Sequence, residues 1–338
     1  MGQCGRPSVA PTVDNADDPG MSRPASPTRS LSIVDLATLL YLGAVWGAVF
    51  VFMRIAAPEV GPVWAAAIRL VIGSTVLLVI AGPRTLRIAR GRVVSLAITG
   101  ALFSAIPFTL ISIATVTLPA GFTALLNAAT PLFTAAVGVA FLGNRISARV
   151  AAGLVVGLVA VVVLVGWSPL DPTVTTLLAV AAGLGVPLSY ALAGNFVRAR
   201  LSDVPPVELA TGVLSAGALL ALPVAVLSGA PRMPTPDGAI SLIGVGTLST
   251  AFAWPLFFRV LRRTTPTAAS TVTFVVPGFA LAFGAVVLGE AVGVSLVVGF
   301  GLILVSLLLV LGIAPSAPAP AIRRAAGALR AAAASLGG

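Results

Sequence analysis

Ten long apolar stretches, divided by short polar or Arg-bearing breaks, leave this chain few folds to adopt. An α-helix rising 1.5 Å per residue needs about 20 residues to cross roughly 30 Å of hydrocarbon. The stretches fit that length and run over residues 36–56, 63–80, 93–114, 120–142, 147–167, 175–195, 207–227, 239–258, 267–288 and 292–313. They are continuous apolar runs, not the alternating segments of about 10 residues that build outer-membrane strands, so helices are expected rather than a barrel. Composition agrees. The 338 residues are 58% hydrophobic and 9% charged, against roughly 25% charged in soluble domains. A single soluble core cannot hide that much apolar surface. The sequence predicts an all-α integral membrane protein.

The absent residue types exclude much familiar chemistry. There is no His, which removes His-based triads and His metal sites, and all 20 basic residues are Arg, so no Lys can complete a phosphate loop or form a Schiff base. The single Cys, Cys4, cannot form an internal disulfide. No catalytic residue, no metal site and no cofactor are expected, and the chain is not read as an enzyme. A net charge of +10 would suggest nucleic acid in a soluble protein, but in a membrane protein it reports orientation.

The placement of the arginines decides between these readings. With a cytoplasmic N-terminus, the inner segments hold Arg6, Arg23, Arg29, Arg84, Arg87, Arg90, Arg92, Arg145, Arg149, Arg198, Arg200, Arg259, Arg262, Arg263, Arg323, Arg324 and Arg330. The outer loops hold only Arg54 and Arg232, and Arg69 lies within the second span. Positive charge collects on the cytoplasmic side, so both termini are expected there and the protein in a cell (inner) membrane as a multi-pass chain. Residues 1–32, rich in Pro, Ser and Asp, read as a disordered tail without a signal peptide, and Met21 as an alternative start. Residues 314–338 form a Pro/Ala-rich cytoplasmic tail.

The chain repeats itself. A shift of 146 residues takes Pro131, Phe133, Ala136, Gly138, Leu142 and Gly143 onto Pro277, Phe279, Ala282, Gly284, Leu288 and Gly289. It also takes Ser95, Leu96, Gly100, Leu102 and Ala105 onto Ser241, Leu242, Gly246, Leu248 and Ala251, and Gly153 and Gly166 onto Gly299 and Gly312. A shift of 144 takes Trp46, Arg54 and Pro62 onto Tyr190, Arg198 and Pro206. Two apolar sequences align Leu and Val by chance, but not these Gly and Pro positions. Residues 33–167 and 174–313 thus form two five-span repeats, and an odd number of spans forces opposite directions across the membrane. The expected fold is ten transmembrane helices in two inverted five-helix repeats, an architecture recurrent in secondary transporters.

Trp46-Gly47, Ala67-Ile68-Arg69, the 131–143 segment and the run from Pro277 to Leu288-Gly289-Glu290 together resemble the drug/metabolite transporter superfamily, specifically its ten-helix EamA-like members. The resemblance covers residues 36–312. One departure is Asn144, where the family's first repeat usually carries Glu after Leu-Gly. The resemblance implies export of small metabolites, amino acids or drugs from the cytoplasm, and no particular substrate.

Candidate site residues follow from the repeat. Pro131 and Pro277 fall mid-span and each deprives the carbonyl four residues earlier, Asn127 or Thr273, of its partner. They are read as gating hinges beside a substrate contact, or as kinks healed by neighbouring hydroxyls. Thr123, Asn127, Thr130 and Thr134 step along one helix face. Ser104 and Phe108 match Thr250 and Trp254, and Trp46 matches Tyr190; with Asn127 and Thr273 they are the expected substrate-binding set, packing and an interfacial aromatic belt being the ordinary alternatives. Arg69 either holds a substrate carboxylate or a neighbouring carbonyl, or it snorkels to the outer interface, the simpler expectation. The acidic residues Asp35, Asp171, Asp203, Glu208, Asp237 and Glu290 lie at span ends or in loops, which gives proton antiport no support; Glu290 is expected to cap a helix or meet an Arg. The expected function is export of a small organic solute by alternating access. The expected partners are that small-molecule substrate and the lipid bilayer, not nucleic acid, with homo-oligomer formation open. The rival is a membrane-embedded regulatory or lipid-modifying protein without solute flux.

Overall fold

The computed structural model describes residues 33–82, 91–142, 147–167, 170–263 and 272–311. Both expected tails, Asn144 and the arginines at 84, 87, 90 and 145 lie outside the described residues. Every element within them is a helix. Apolar composition in lipid explains this: a helix satisfies its own backbone where water is absent. Among the described residues, seven helices are long and apolar enough to cross a membrane, and two shorter apolar ones cover Val275–Leu288 and Val294–Val310.

Helix α1 (Ile33–Val60) turns through Gly61, at φ 92°, into α2 (Pro62–Ala81), whose first residue presets a helical φ. Helix α3 (Val93–Gly100) widens into a π-helical stretch at Ala101–Ala105 and continues as α4 (Ile106–Thr117). Then come α5 (Ala120–Asn127), α6 (Thr130–Leu142), α7 (Ala148–Gly166), α8 (Val174–Arg200) and α9 (Pro206–Leu227). Helix α10 (Pro236–Gly246) widens at Thr247–Phe252 into α11 (Ala253–Arg263), followed by α12 (Val272–Leu288) and α13 (Val294–Leu311).

The two π-helical stretches begin 146 residues apart, the spacing of the sequence repeat. Each precedes a proline, Pro107 or Pro255, within its helix. A proline donates no hydrogen bond and crowds the carbonyl four residues before it, and widening the preceding turn relieves both. Pro107 and Pro255, and not only the expected Pro131 and Pro277, thus shape the helices.

One expectation needs correction. The 120–142 stretch is two helices, because α5 stops at Asn127 and Ala128–Ala129 form a break. Pro131 is therefore the second residue of α6, where a missing N–H costs little, and not a mid-helix kink. The freed Asn127 carbonyl accepts from the Thr130 hydroxyl at 2.6 Å, the healing by a neighbouring hydroxyl that was the alternative reading. With the break, Thr123 to Thr134 no longer share one face. The Thr123 hydroxyl donates to the Pro119 carbonyl and that of Thr134 to the Thr130 carbonyl. Pro277 does lie inside a helix, α12.

Helix α1 packs along α12, α2 along α9, α4 along α8, and α7 along α13. Gly73 on α2 approaches the turn of Gly246 and Thr250: a Cβ there would lie 2.6 Å from the Thr250 methyl and 3.1 Å from the Gly246 carbonyl. Gly217 on α9 meets Ser104 and the Gly100 carbonyl in the same manner. In α7 and α13, Gly153 faces Val310 while Gly299 faces Leu164, so these two helices run antiparallel. Small residues at such crossings let backbones approach, which drives association where lipid removes the hydrophobic effect.

Polar ties fasten the helix ends. The Glu59 carboxylate accepts from the Thr235 N–H and hydroxyl, each at 2.9 Å, and Thr235 in turn caps α10. Asp203, 144 residues after Glu59, accepts two hydrogen bonds from Arg92 at 2.7 and 2.6 Å. The Arg92 guanidinium bonded to Asp203 holds that carboxyl below the usual carboxylate range. Glu290 accepts from the Ala120 N–H at the start of α5, at 3.0 and 2.9 Å, and lies 3.8 Å from Arg54. Capping or an Arg contact is the expectation for Glu290, and it makes both.

Candidate functional site

Side chains of α1, the first π-helical stretch, α4 and α11 meet around Trp254. Its ring is 5.9 Å from Trp46, 4.9 Å edge-on from Phe103, 6.4 Å from Phe108, 6.2 Å from Phe257 and 5.6 Å from Phe258. Trp46 meets Phe257 at 5.1 Å, and Phe103 links the cluster to Tyr190 at 5.5 Å. Tilted and edge-on rings at these separations are mutually attractive, beyond the area they bury. Thus Trp46, Phe108, Tyr190 and Trp254, four aromatics of the expected set, come together, and none of them forms an interfacial belt in this cluster.

Arg69 closes the cluster from α2. Its guanidinium carbon stands 3.7 Å from the centre of the Phe108 ring, and Nε donates to the Thr250 hydroxyl at 2.9 Å. The Thr250 hydroxyl in turn donates to the Val245 carbonyl at 2.7 Å, a bond five residues back that belongs to the widened turn. Arg69 is 2% exposed. Snorkelling, the simpler expectation, is overturned: the packing of α2 against α10 turns this side chain inward. The ring face and one hydroxyl offset part of the cost of burying the charge, which is several kcal/mol when no opposite charge is present. Arg69 Nη1 has no hydrogen-bond partner, and neither does the indole N–H of Trp254.

Two further ties hold α1 against the second widened turn. The Trp46 indole donates to the Ser249 carbonyl at 3.2 Å, and the Ser249 hydroxyl donates to the Val45 carbonyl at 2.7 Å.

The rest of the expected set lies elsewhere. The Ser104 hydroxyl donates to the Gly100 and Val213 carbonyls, which ties it to α9. Asn127 ends α5 with its side-chain carbonyl buried and unpartnered. Thr273 is helical, and its side chain lies outside the described residues. Sequence reading missed Phe103, Phe257, Phe258 and Glu59. The signal for two of them was present, since Phe257 and Phe258 follow Trp254 by three and four residues and so share its helix face. Among the described residues no group of three or more Cys, His or acidic side chains is placed to hold a metal ion. The cluster offers N–H donors, one positive charge and ring faces.

Comparison with known proteins gives a family and relatives. The family model described as "EamA-like transporter family" matches residues 35–166 and 177–312. An uncharacterized transporter from Bacillus subtilis, YoaV, is 24% identical over 259 residues, covering 75% of this chain and 89% of that protein. A probable terminal-alkyne amino-acid exporter from Streptantibioticus cattleyicolor is 28% identical over 251 residues, covering 72% and 82%. One crystal structure superposes with a TM-score of 0.60 at 18% identity, over 81% of this chain and 96% of that one, a likeness of fold.

Proposed function

This chain belongs to the EamA-like transporter family, and from that premise we propose that it exports small organic solutes by alternating access. The matched family and relatives are transporters and not enzymes. In this reading residues 33–167 and 174–313 are two inverted five-span repeats, ten spans in all, in the inner membrane with both termini cytoplasmic. Alternating access then follows from one half rocking against the other around a shared site.

One observation carries the reading. Positions equivalent in sequence meet reciprocally: Gly73 against Gly246 and Thr250, Gly217 against Gly100 and Ser104. Such exchange is what a pseudo-twofold axis in the membrane plane produces, and antiparallel α7 and α13 fit it. The break before Pro131 and the equivalent Pro277 would serve as hinges. Trp46, Phe108, Tyr190, Thr250 and Trp254 would face the solute in the open states. Asn127 keeps a place beside the pathway because its buried carbonyl is unpartnered, and Thr273 keeps one as the repeat equivalent of Asn127. The amino-acid exporter named above supports amino acids as the first solutes to test.

Purified protein in sealed vesicles should release preloaded amino acids faster than equally loaded protein-free vesicles do. Trp254→Ala should slow that release several-fold while the protein still folds. No flux of any amino acid, peptide-free metabolite or antibiotic above background would overturn the transport reading.

A further inference from the structure

The repeat that organises this protein makes one residue conspicuous. Under the 144-residue shift, Arg69 on α2 is equivalent to Val213 on α9. Both positions perform the same packing task. A Cβ on Gly246 would approach the Arg69 carbonyl to 3.3 Å, and one on Gly100 would approach the Val213 carbonyl to 3.0 Å. Valine does this task without a charge, so the fold has no need of a guanidinium at position 69.

The charge is nonetheless buried, and among the described residues no carboxylate lies within ion-pairing distance of it; the ion pairs there are Arg54 with Glu290 and Arg92 with Asp203. A guanidinium stays protonated in proteins, so the charge persists. An intramembrane charge without a partner is held for a ligand or a counter-ion more readily than for stability. A second unpartnered donor belongs to a side chain on the same Phe108 ring. The Trp254 indole N–H is buried and unpartnered, and both Arg69 and Trp254 lie against Phe108. Arg69 Nε is already committed to Thr250, which fixes the guanidinium and leaves Nη1 free.

Resting on the transport reading, we propose that Arg69 Nη1 and Trp254 Nε1 hold the carboxylate of an organic monoacid whose apolar body lies against Trp46, Phe103 and Phe257. Two free N–H donors suit a planar group with two oxygens and one charge; a phosphate would bring more oxygens and more charge than the pair can satisfy. The rings supply apolar and π faces for the body, without a carboxylate to repel the acid. Apolar or unsaturated amino acids fall within this class, and so do simple carboxylic acids.

The test compares acids with their amides, which keep the body and remove the charge. Purified full-length protein in lipid nanodiscs is titrated with phenylacetate and phenylacetamide, phenylalanine and phenylalaninamide, leucine and leucinamide, reading tryptophan fluorescence and thermal shift. At least one acid should bind about tenfold or more tightly than its amide, the scale of a charge-assisted hydrogen bond. Arg69→Gln should abolish the discrimination, and Arg69→Lys should keep part of it. Equal binding of acid and amide, discrimination that survives in Arg69→Gln, or no binding by any of the three acids would overturn the proposal. Should Arg69→Gln not fold, the acid–amide comparison on the unaltered protein decides by itself. Vesicle flux separates the two readings: equal transport of acids and amides would leave export standing and remove the carboxylate anchor.

Discussion

Arg69 illustrates how a single residue takes its meaning from neighbours that sequence does not name. Its Nε depends on one hydroxyl, so Thr250→Val should leave a buried charged donor unpaired and cost about 2–3 kcal/mol, while Thr250→Ser should cost less. Thermal unfolding in detergent, with both variants compared, checks this. Steric limits are equally local. At Gly100 a Cβ would lie 2.8 Å from the Gly217 backbone nitrogen and 3.0 Å from the Val213 carbonyl, neither of which can swing away. Gly100→Ala should therefore destabilise by about 1–3 kcal/mol through overpacking. A melting temperature equal to that of the unaltered protein would show that α3 and α9 can part more easily than their backbone contact implies.

At the scale of elements, helix ends and widened turns set where side chains point. The Glu290 carboxylate caps α5 and lies near Arg54, and Glu290→Gln keeps the shape while losing the charge. It should lower stability by about 0.5–2 kcal/mol, as loss of an N-terminal cap does. Chemical unfolding followed by circular dichroism measures it. The Arg92–Asp203 tie has a defined pH behaviour. Its hydrogen bonds hold the Asp203 carboxyl below its ordinary range, so the bond contributes at pH above the unfolded carboxylate value and is lost as pH falls through the lower folded one. Asp203→Asn should thus change the melting temperature by the same amount from about pH 5 to 8, with the difference closing only in stronger acid. Both groups are exposed, so the effect should be small and shrink with salt.

The apolar stretches, the helical class and the 146-residue spacing were legible because each rests on residue type and count, which lipid and helix period translate directly. The two widened turns beginning 146 residues apart repeat that spacing in three dimensions. The polar stripe from Thr123 to Thr134 was misread because a two-residue break changes the angular register, and period arguments assume an uninterrupted helix.

For the whole molecule, the central claim concerns direction through the bilayer. Helix α8 spans Val174–Arg200, so cysteines placed at Asp171 and Asp203 should react with an impermeant thiol reagent from opposite sides of intact cells, in a background lacking Cys4. Labelling of both from one side would end the inverted arrangement. Sequence determined the apolar, helical character and the presence of two matching repeats, because hydrophobicity and repetition are properties of the chain itself. It could not settle which way Arg69 faces, or that Phe103, Phe257 and Phe258 complete the ring cluster around Trp254. Those outcomes depend on how each helix rotates about its axis, and that rotation is fixed by glycine contacts and widened turns between segments far apart in sequence.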